Sequence, residues 1–167
     1  MSAGLENIRQ VMADFLREKG ICAVTTWPME PRAERDGPVV AVSLRKCKAQ
    51  PASFQDYLGE RYDPAADRWE ERFGKRAELT FGLDIYGPEK GDGEKIQAAF
   101  DKLAGALLLG GPEGMDLREF SCGETVRDGE SRRLKRHVEA VCNAWLCAVT
   151  DAGGGFIDFE LRGVMRQ

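Results

Sequence analysis

The sequence predicts an α+β protein, a mostly antiparallel sheet with two helices packed on one face, in the order α-β-β-β-α-β-β-β. Three observations lead there. Apolar residues recur at helical spacing in two segments only, one near the start and one in the middle of the 167-residue chain. Period-two alternation marks most of the remainder, and the segment from Trp69 to Ile85 alternates well. Strands therefore outnumber helices, and the helices cannot serve as crossovers between every pair of strands.

The first helix spans about residues 5–19. Leu5, Ile8, Val11, Met12, Phe15 and Leu16 make its apolar stripe, and Gly20 follows as a C-cap. "ICAVTTWP" reads as a strand stopped by Pro28 and Pro31, and "VVAVSLRKCKA" as a second one. The proline-rich loop between them, ending in Asp36-Gly37, suggests an antiparallel hairpin with a long tip. The stretch "SFQDYLGERYDPAADRWEERFGKR" is polar, yet its aromatic density argues against disorder. It leads into the long strand. There Trp69, Phe73, Ala77, Leu79, Phe81, Leu83 and Ile85 share one parity, and Arg68, Glu70, Arg72, Arg76, Glu78, Thr80 and Asp84 share the other. Gly74 marks a bulge or turn within that strand, and the N-terminal half is expected to project as an arm at about residues 54–76.

Ile96, Ala99, Phe100, Leu103, Leu107 and Leu108 return to helical spacing, giving a second helix over about 93–109, ended by Gly110-Gly111-Pro112. "MDLREFSCGETV" reads as a strand and "RDGESRR" as a turn. Residues 134–150 fit both periods. The flanks favour a strand, and "DAGGG" then makes a hairpin connection to "FIDFELRGVM".

With 43% apolar and 31% charged residues the chain reads as one soluble globular domain covering 1–167. A net charge of −4 disfavours a free nucleic-acid binder. No stretch reaches the roughly 20 apolar residues of a membrane span. The opening residues do not form a signal peptide, so synthesis in a cytoplasm is expected. Five cysteines, an odd number without a C-x-x-C pair, and one histidine make a zinc site unexpected. Buried free thiols in a reducing compartment are the ordinary reading.

No catalytic motif stands out. "LDIYGPEKGDGEKIQ" has the strand, glycine loop, helix order found around phosphates. Its residues 87–95 match neither phosphate-binding fingerprint: Glu94 stands where the lysine belongs, and no Ser or Thr follows Lys95. The expected role is a turn, with Asp92 as N-cap and Glu94 in the first turn. His137 lies beside Lys135 and Arg136 without a nearby nucleophile motif, although a cysteine partner need only meet it in space. Glu70 and Glu71 point to opposite sides of a strand and form no acid–base pair. The basic stretch 127–136 suits a docking patch or a solvated turn. Neither an enzyme nor a cofactor is expected. A small-ligand site at 87–95 and an adaptor surface at 127–136 are the alternatives.

Four stretches in sequence carry a family likeness: "LENIRQVMADFLREKG", "DYLGERYDPAADRWEERFGKRAELTFGLDIYGP", "EKIQAAFDKLAGALL" and "AWLCAVTDAGGGFIDFELRG". Their order and texture resemble tail terminator proteins (tail completion, head–tail joining) of long-tailed phages and prophages. The resemblance implies a structural α+β subunit that forms a ring, typically a hexamer, on the finished end of the tail tube. It implies the tail tube protein and a head–tail connector as partners, no membrane, no sequence-specific nucleic acid, and a place in the virion tail after assembly in the host cytoplasm. Interfaces would then carry function. Phe54, Tyr57, Tyr62, Trp69 and Phe73 are the residues expected at subunit contacts, because aromatic side chains are favoured in interface cores.

Overall fold

The computed structural model describes residues 6–25, 37–51, 56–87, 93–129 and 133–162. The elements are α1 (Glu6–Glu18), β1 (Ala23–Val24), β2 (Val39–Gln50), β3 (Tyr57–Asp63), β4 (Arg68–Tyr86), α2 (Glu94–Leu109), β5 (Asp116–Arg127), β6 (Leu134–Asp151) and β7 (Phe156–Arg162). The class is α+β, as the sequence predicts, with one strand more before the second helix. That strand, β3, is hidden in the sequence by its charged residues.

Two long strands organise the sheet. β4 and β6 pair antiparallel from Glu70↔Asp151 to Tyr86↔Lys135 without a register shift. At about 3.3 Å per residue, β4 is roughly 60 Å long. In the proximal half β2 and β5 flank this pair, giving the order β1-β2-β4-β6-β5. In the distal half β3 lies on β4 and β7 on β6. Segment 56–76 therefore does not stand by itself: it belongs to a four-stranded sheet β3-β4-β6-β7.

Both helices cover one face of the proximal half. α1 packs on β1 and β2, and α2 on β4, β5 and β6. Ile8, Met12 and Leu16 from α1 join Leu103 and Leu107 from α2 over Leu79, Phe81, Leu83 and Ile85 of β4 and Val138, Ala140 and Cys142 of β6. α1 ends as the sequence predicts. Gly20 has φ 77°, its N–H donates to the Arg17 carbonyl (2.9 Å), and the Ile21 N–H donates to the Leu16 carbonyl (2.9 Å).

Four expectations need correction. β1 is only two residues long and runs parallel to β2, with Ala23↔Val40 and Val24↔Ala41 in register. A parallel neighbour needs a connection of a dozen or more residues, which a hairpin does not supply and residues 25–38 do. Gly74 is neither bulge nor turn. It leaves room for neighbours, since a Cβ there would lie 2.6 Å from Leu58 Cδ1 and 2.9 Å from Cys147 Sγ. The N-cap of α2 is Gly93, without a side-chain cap bond, while Asp92 lies outside the described residues. The thiols form no disulfide but are not all buried, for Cys22 and Cys122 are exposed.

These thiols should separate in reactivity. Burial, then Asp116, pushes the Cys142 thiol up to about 12, so it stays protonated at pH 8, and the thiolate is the nucleophile. Alkylation of the native protein at pH 8, read by mass spectrometry, is expected to label Cys22 and Cys122 and to spare Cys142. Equal labelling of Cys142 would show that the sheet opens on the timescale of the reaction.

Candidate interaction surface

On β4, odd-numbered residues face the helices. Past the helices the same parity continues into the distal half, where it carries exposed Trp69 and Phe73 together with half-buried Glu71 and Lys75. β3 pairs Tyr57↔Phe73 and Tyr62↔Trp69, while β7 pairs Phe159↔Ala148 and Phe156↔Thr150. β6 in turn pairs Ala148↔Phe73 and Thr150↔Glu71. All six aromatic side chains therefore stand on one face. Their rings meet in pairs, Tyr57–Phe73 at 5.4 Å, Tyr62–Trp69 at 5.5 Å and Phe156–Phe159 at 4.9 Å between centroids, each tilted by 56–58°. Tilted pairs at such separations are favourable beyond the area they bury. Exposure runs from 36% at Phe159 to 59% at Phe156, with Trp69 at 56%. A patch of this kind on a protein surface commonly marks an interaction site.

Of the residues expected at subunit contacts, the fold brings Tyr57, Tyr62, Trp69 and Phe73 together, and Phe54 lies outside the described residues. Phe156 and Phe159 join them without having been anticipated. In the sequence they sit at opposite parities of "FIDFELRG", so alternation alone assigns them to opposite faces. A register shift between Val149 and Thr150 brings them to one.

The reverse face of the distal half holds it in shape. Glu70 is buried and accepts from Arg61 Nη2 (3.1 Å) and Arg68 Nε (3.4 Å). Arg61 also donates to Glu160, which joins the two outer strands β3 and β7. These hydrogen bonds, that to Glu160 first, raise the Arg61 pKa further. At the tip, Asp63 Oδ1 accepts from the Ala65 N–H (3.0 Å), and Tyr62 donates its hydroxyl to Asp67, which pushes the phenol pKa up. Partial burial, then Glu60 and Glu71, raises that of Tyr57. Acidic charge lies within the aromatic face as well, since Glu60↔Glu71 stands on the same side between the Tyr57↔Phe73 and Tyr62↔Trp69 pairs.

A charged cluster sits on the reverse face of the proximal half. Arg45 Nη2 donates to both oxygens of Asp84 (3.2 and 3.1 Å), and Lys135 Nζ lies 3.7 Å from the same carboxylate. His137 Nδ1 is 2.9 Å from Asp84 Oδ1, and its Nε2 is 2.7 Å from Arg45 Nη1. Both ring nitrogens therefore face partners within the cluster. Gly82 makes this possible, because a Cβ there would lie 2.7 Å from Arg45 Nε and 2.6 Å from Ser43 Oγ. Gly82→Ala is expected to displace Arg45 from Asp84 and to cost about 1–3 kcal/mol, the usual loss when a buried acceptor loses a partner. Urea unfolding of the two proteins measures it, and an unchanged midpoint would show that Arg45 relaxes without loss.

Of the basic stretch 127–136, residues 130–132 lie outside the described residues, and its last two cations point to opposite faces. Lys135 points to the reverse face, 5.4 Å from the Tyr86 ring centroid. Arg136 points the other way, 4.5 Å from the Phe100 ring centroid, donating to Gln97 Oε1 (2.7 Å) and the Gly123 carbonyl (3.1 Å). Of the loop 87–95, residues 88–92 lie outside the described residues. Among the described residues no group of three or more His, Cys, Asp or Glu is placed to hold a metal ion, and no helix is long and apolar enough to cross a membrane.

No family profile matches the chain, and no curated protein matches it. Among solved structures it is similar to the sheath/tube terminator of PVC, an extracellular contractile injection system, seen in the extended state by cryo-EM. The TM-score is 0.49 and the sequence identity 12%, and the match covers 100% of this chain. The chain spans 65% of the length of that terminator chain.

Proposed function

We propose that this chain is a structural subunit of a phage or prophage tail, one that caps the tail tube as a ring, with six subunits as the expected number. In this reading the chain is a single domain whose distal half is the projecting arm, and its aromatic face makes the subunit contacts. The tail tube protein meets one side of the ring and the head connector the other. No catalytic step is required of any residue.

The observation that carries the reading is the aromatic face itself. Six aromatic side chains share one side of a sheet whose other half, on that same side, is covered by helices. A monomer gains nothing from leaving such a surface bare, whereas an assembly buries it. The order and texture of the sequence, which resemble tail terminators, select the kind of assembly. Mixed charges about the tip, such as Asp67, Arg68 and Glu71, would fix register between neighbours.

Mass photometry and sedimentation at high protein concentration test this, together with electron microscopy of purified tail tubes incubated with the protein. Rings in solution, or density at one tube end, are the expected result. A strict monomer that also leaves tube ends bare and still elongating would overturn the proposal.

A further inference from the structure

We propose that the aromatic face receives the outer C-terminal side of α2 from a second copy of the chain. Each subunit would then give its arm to one neighbour and its α2 to the other. The inference rests on the ring reading above and names the two surfaces that form the contact.

The second surface is visible on α2. Its last turns read "AGALLL", residues 104–109, apolar on every side. Leu103, Ala106 and Leu107 are buried against the sheet. Leu108 and Leu109 point away from it, 72% and 91% exposed. Gly105 lies between them on the outer side, where a Cβ would meet nothing within 4 Å. A helix that is apolar all round is normally covered on both sides. Here the sheet covers one, and α2 cannot turn the other towards its own arm while its inner side holds it in place.

The two surfaces suit each other. An apolar sheet face is normally covered by a helix, as the proximal half of this sheet is by α1 and α2. The arm offers the same face without a helix, and α2 offers a helix side without a sheet. Charge agrees as well. Glu60 and Glu71 stand in that face between the Tyr57–Phe73 and Tyr62–Trp69 pairs, and Lys102 lies on the outer side of α2, seven residues before Leu109 and so on the same side of the helix, next to Asp101, whose carboxylate accepts from Gln97. Its ammonium donates to the Gly20 carbonyl (2.9 Å) and has donors to spare. Because the two surfaces differ, their contact is head-to-tail, the type that closes into rings.

Cross-linking decides it. With Cys22 and Cys122 replaced by serine, a Leu109→Cys chain and a Phe159→Cys chain are treated with a short bis-maleimide, separately and mixed. The mixture is expected to give a cross-linked pair, and the chain carrying both cysteines a ladder of oligomers, while neither single variant cross-links to itself. Charge reversal gives an independent readout: Lys102→Glu should weaken association about tenfold, and Glu71→Lys in the same chain should restore it. Phe159→Cys linking only to itself would mean that aromatic faces meet each other, which overturns the inference and keeps the assembly. Assembled protein without the mixed cross-link also overturns it. Protein that stays monomeric is cross-linked on tail tubes, and failure to bind them removes the ring reading together with this one.

Discussion

Phe81→Ala is expected to lower the free energy of unfolding by about 3–5 kcal/mol, the range for removing a buried phenylalanine ring. Phe81 is fully buried and lies among the largest side chains of the core. It sits on the face of β4 that both helices cover, between Leu79 and Leu83. Removing its ring leaves a cavity bounded on one side by the sheet, which cannot collapse without shifting the β4–β6 ladder. The melting temperature should fall by roughly 10 °C, given about 2–4 °C per kcal/mol for a chain of this size. Calorimetry or urea unfolding measures the change. A loss below about 1.5 kcal/mol would show that the helices close over the gap.

Phe73→Ala combined with Phe159→Ala is expected to act chiefly on assembly. Phe73 stands on the same face of the same strand as Phe81, yet it is 37% exposed where Phe81 is 0% exposed. Phe73 and Phe159 (36% exposed) are each partly buried and stack on a neighbouring ring, so the monomer should lose about 1–2 kcal/mol per ring, less per ring than at Phe81. Assembly should weaken by about 100-fold or more, because central aromatic anchors commonly contribute about 2 kcal/mol or more each to an interface. Sedimentation equilibrium of the two proteins gives the ratio. If the double variant assembles as well as the parent, the aromatic face is not the contact. If it instead unfolds early, the face belongs to the monomer's own core.

The pair shows how far a pattern can be read. Period two along β4 places Phe73 and Phe81 on one face, which alternation alone reveals. It does not reveal where the helices stop. α2 has 16 residues and about 1.5 Å of rise per residue, so it covers only part of a strand of 19 residues extended at about 3.3 Å each. The change from core to surface along β4 follows from that mismatch of lengths.

Other elements were legible for the same local reason. The C-cap at Gly20 needs only a residue tolerant of positive φ after the last turn, and glycine announces it. The hairpin from β6 to β7 follows from alternation broken by glycines, and Asp151 closes it by accepting from the N–H groups of Gly153 and Gly155 (3.0 and 2.7 Å). The parallel pairing of β1 was not legible, because direction depends on where the intervening chain returns.

By itself the sequence determined the two helices, the long β4 strand, the α+β class, and a polar segment with too many aromatic rings for a free loop. The tertiary structure decided which aromatic residues share a surface. Tyr57 and Tyr62 are an odd number of residues apart, as are Phe156 and Phe159, and strict alternation puts each pair on opposite faces. A register shift in β3 and another in β7 add one residue opposite a continuous partner strand and bring all four to the side of Trp69 and Phe73. The reason is physical: a bulge is set by pairing with β4 and β6, neighbours in space that no local window of the sequence contains.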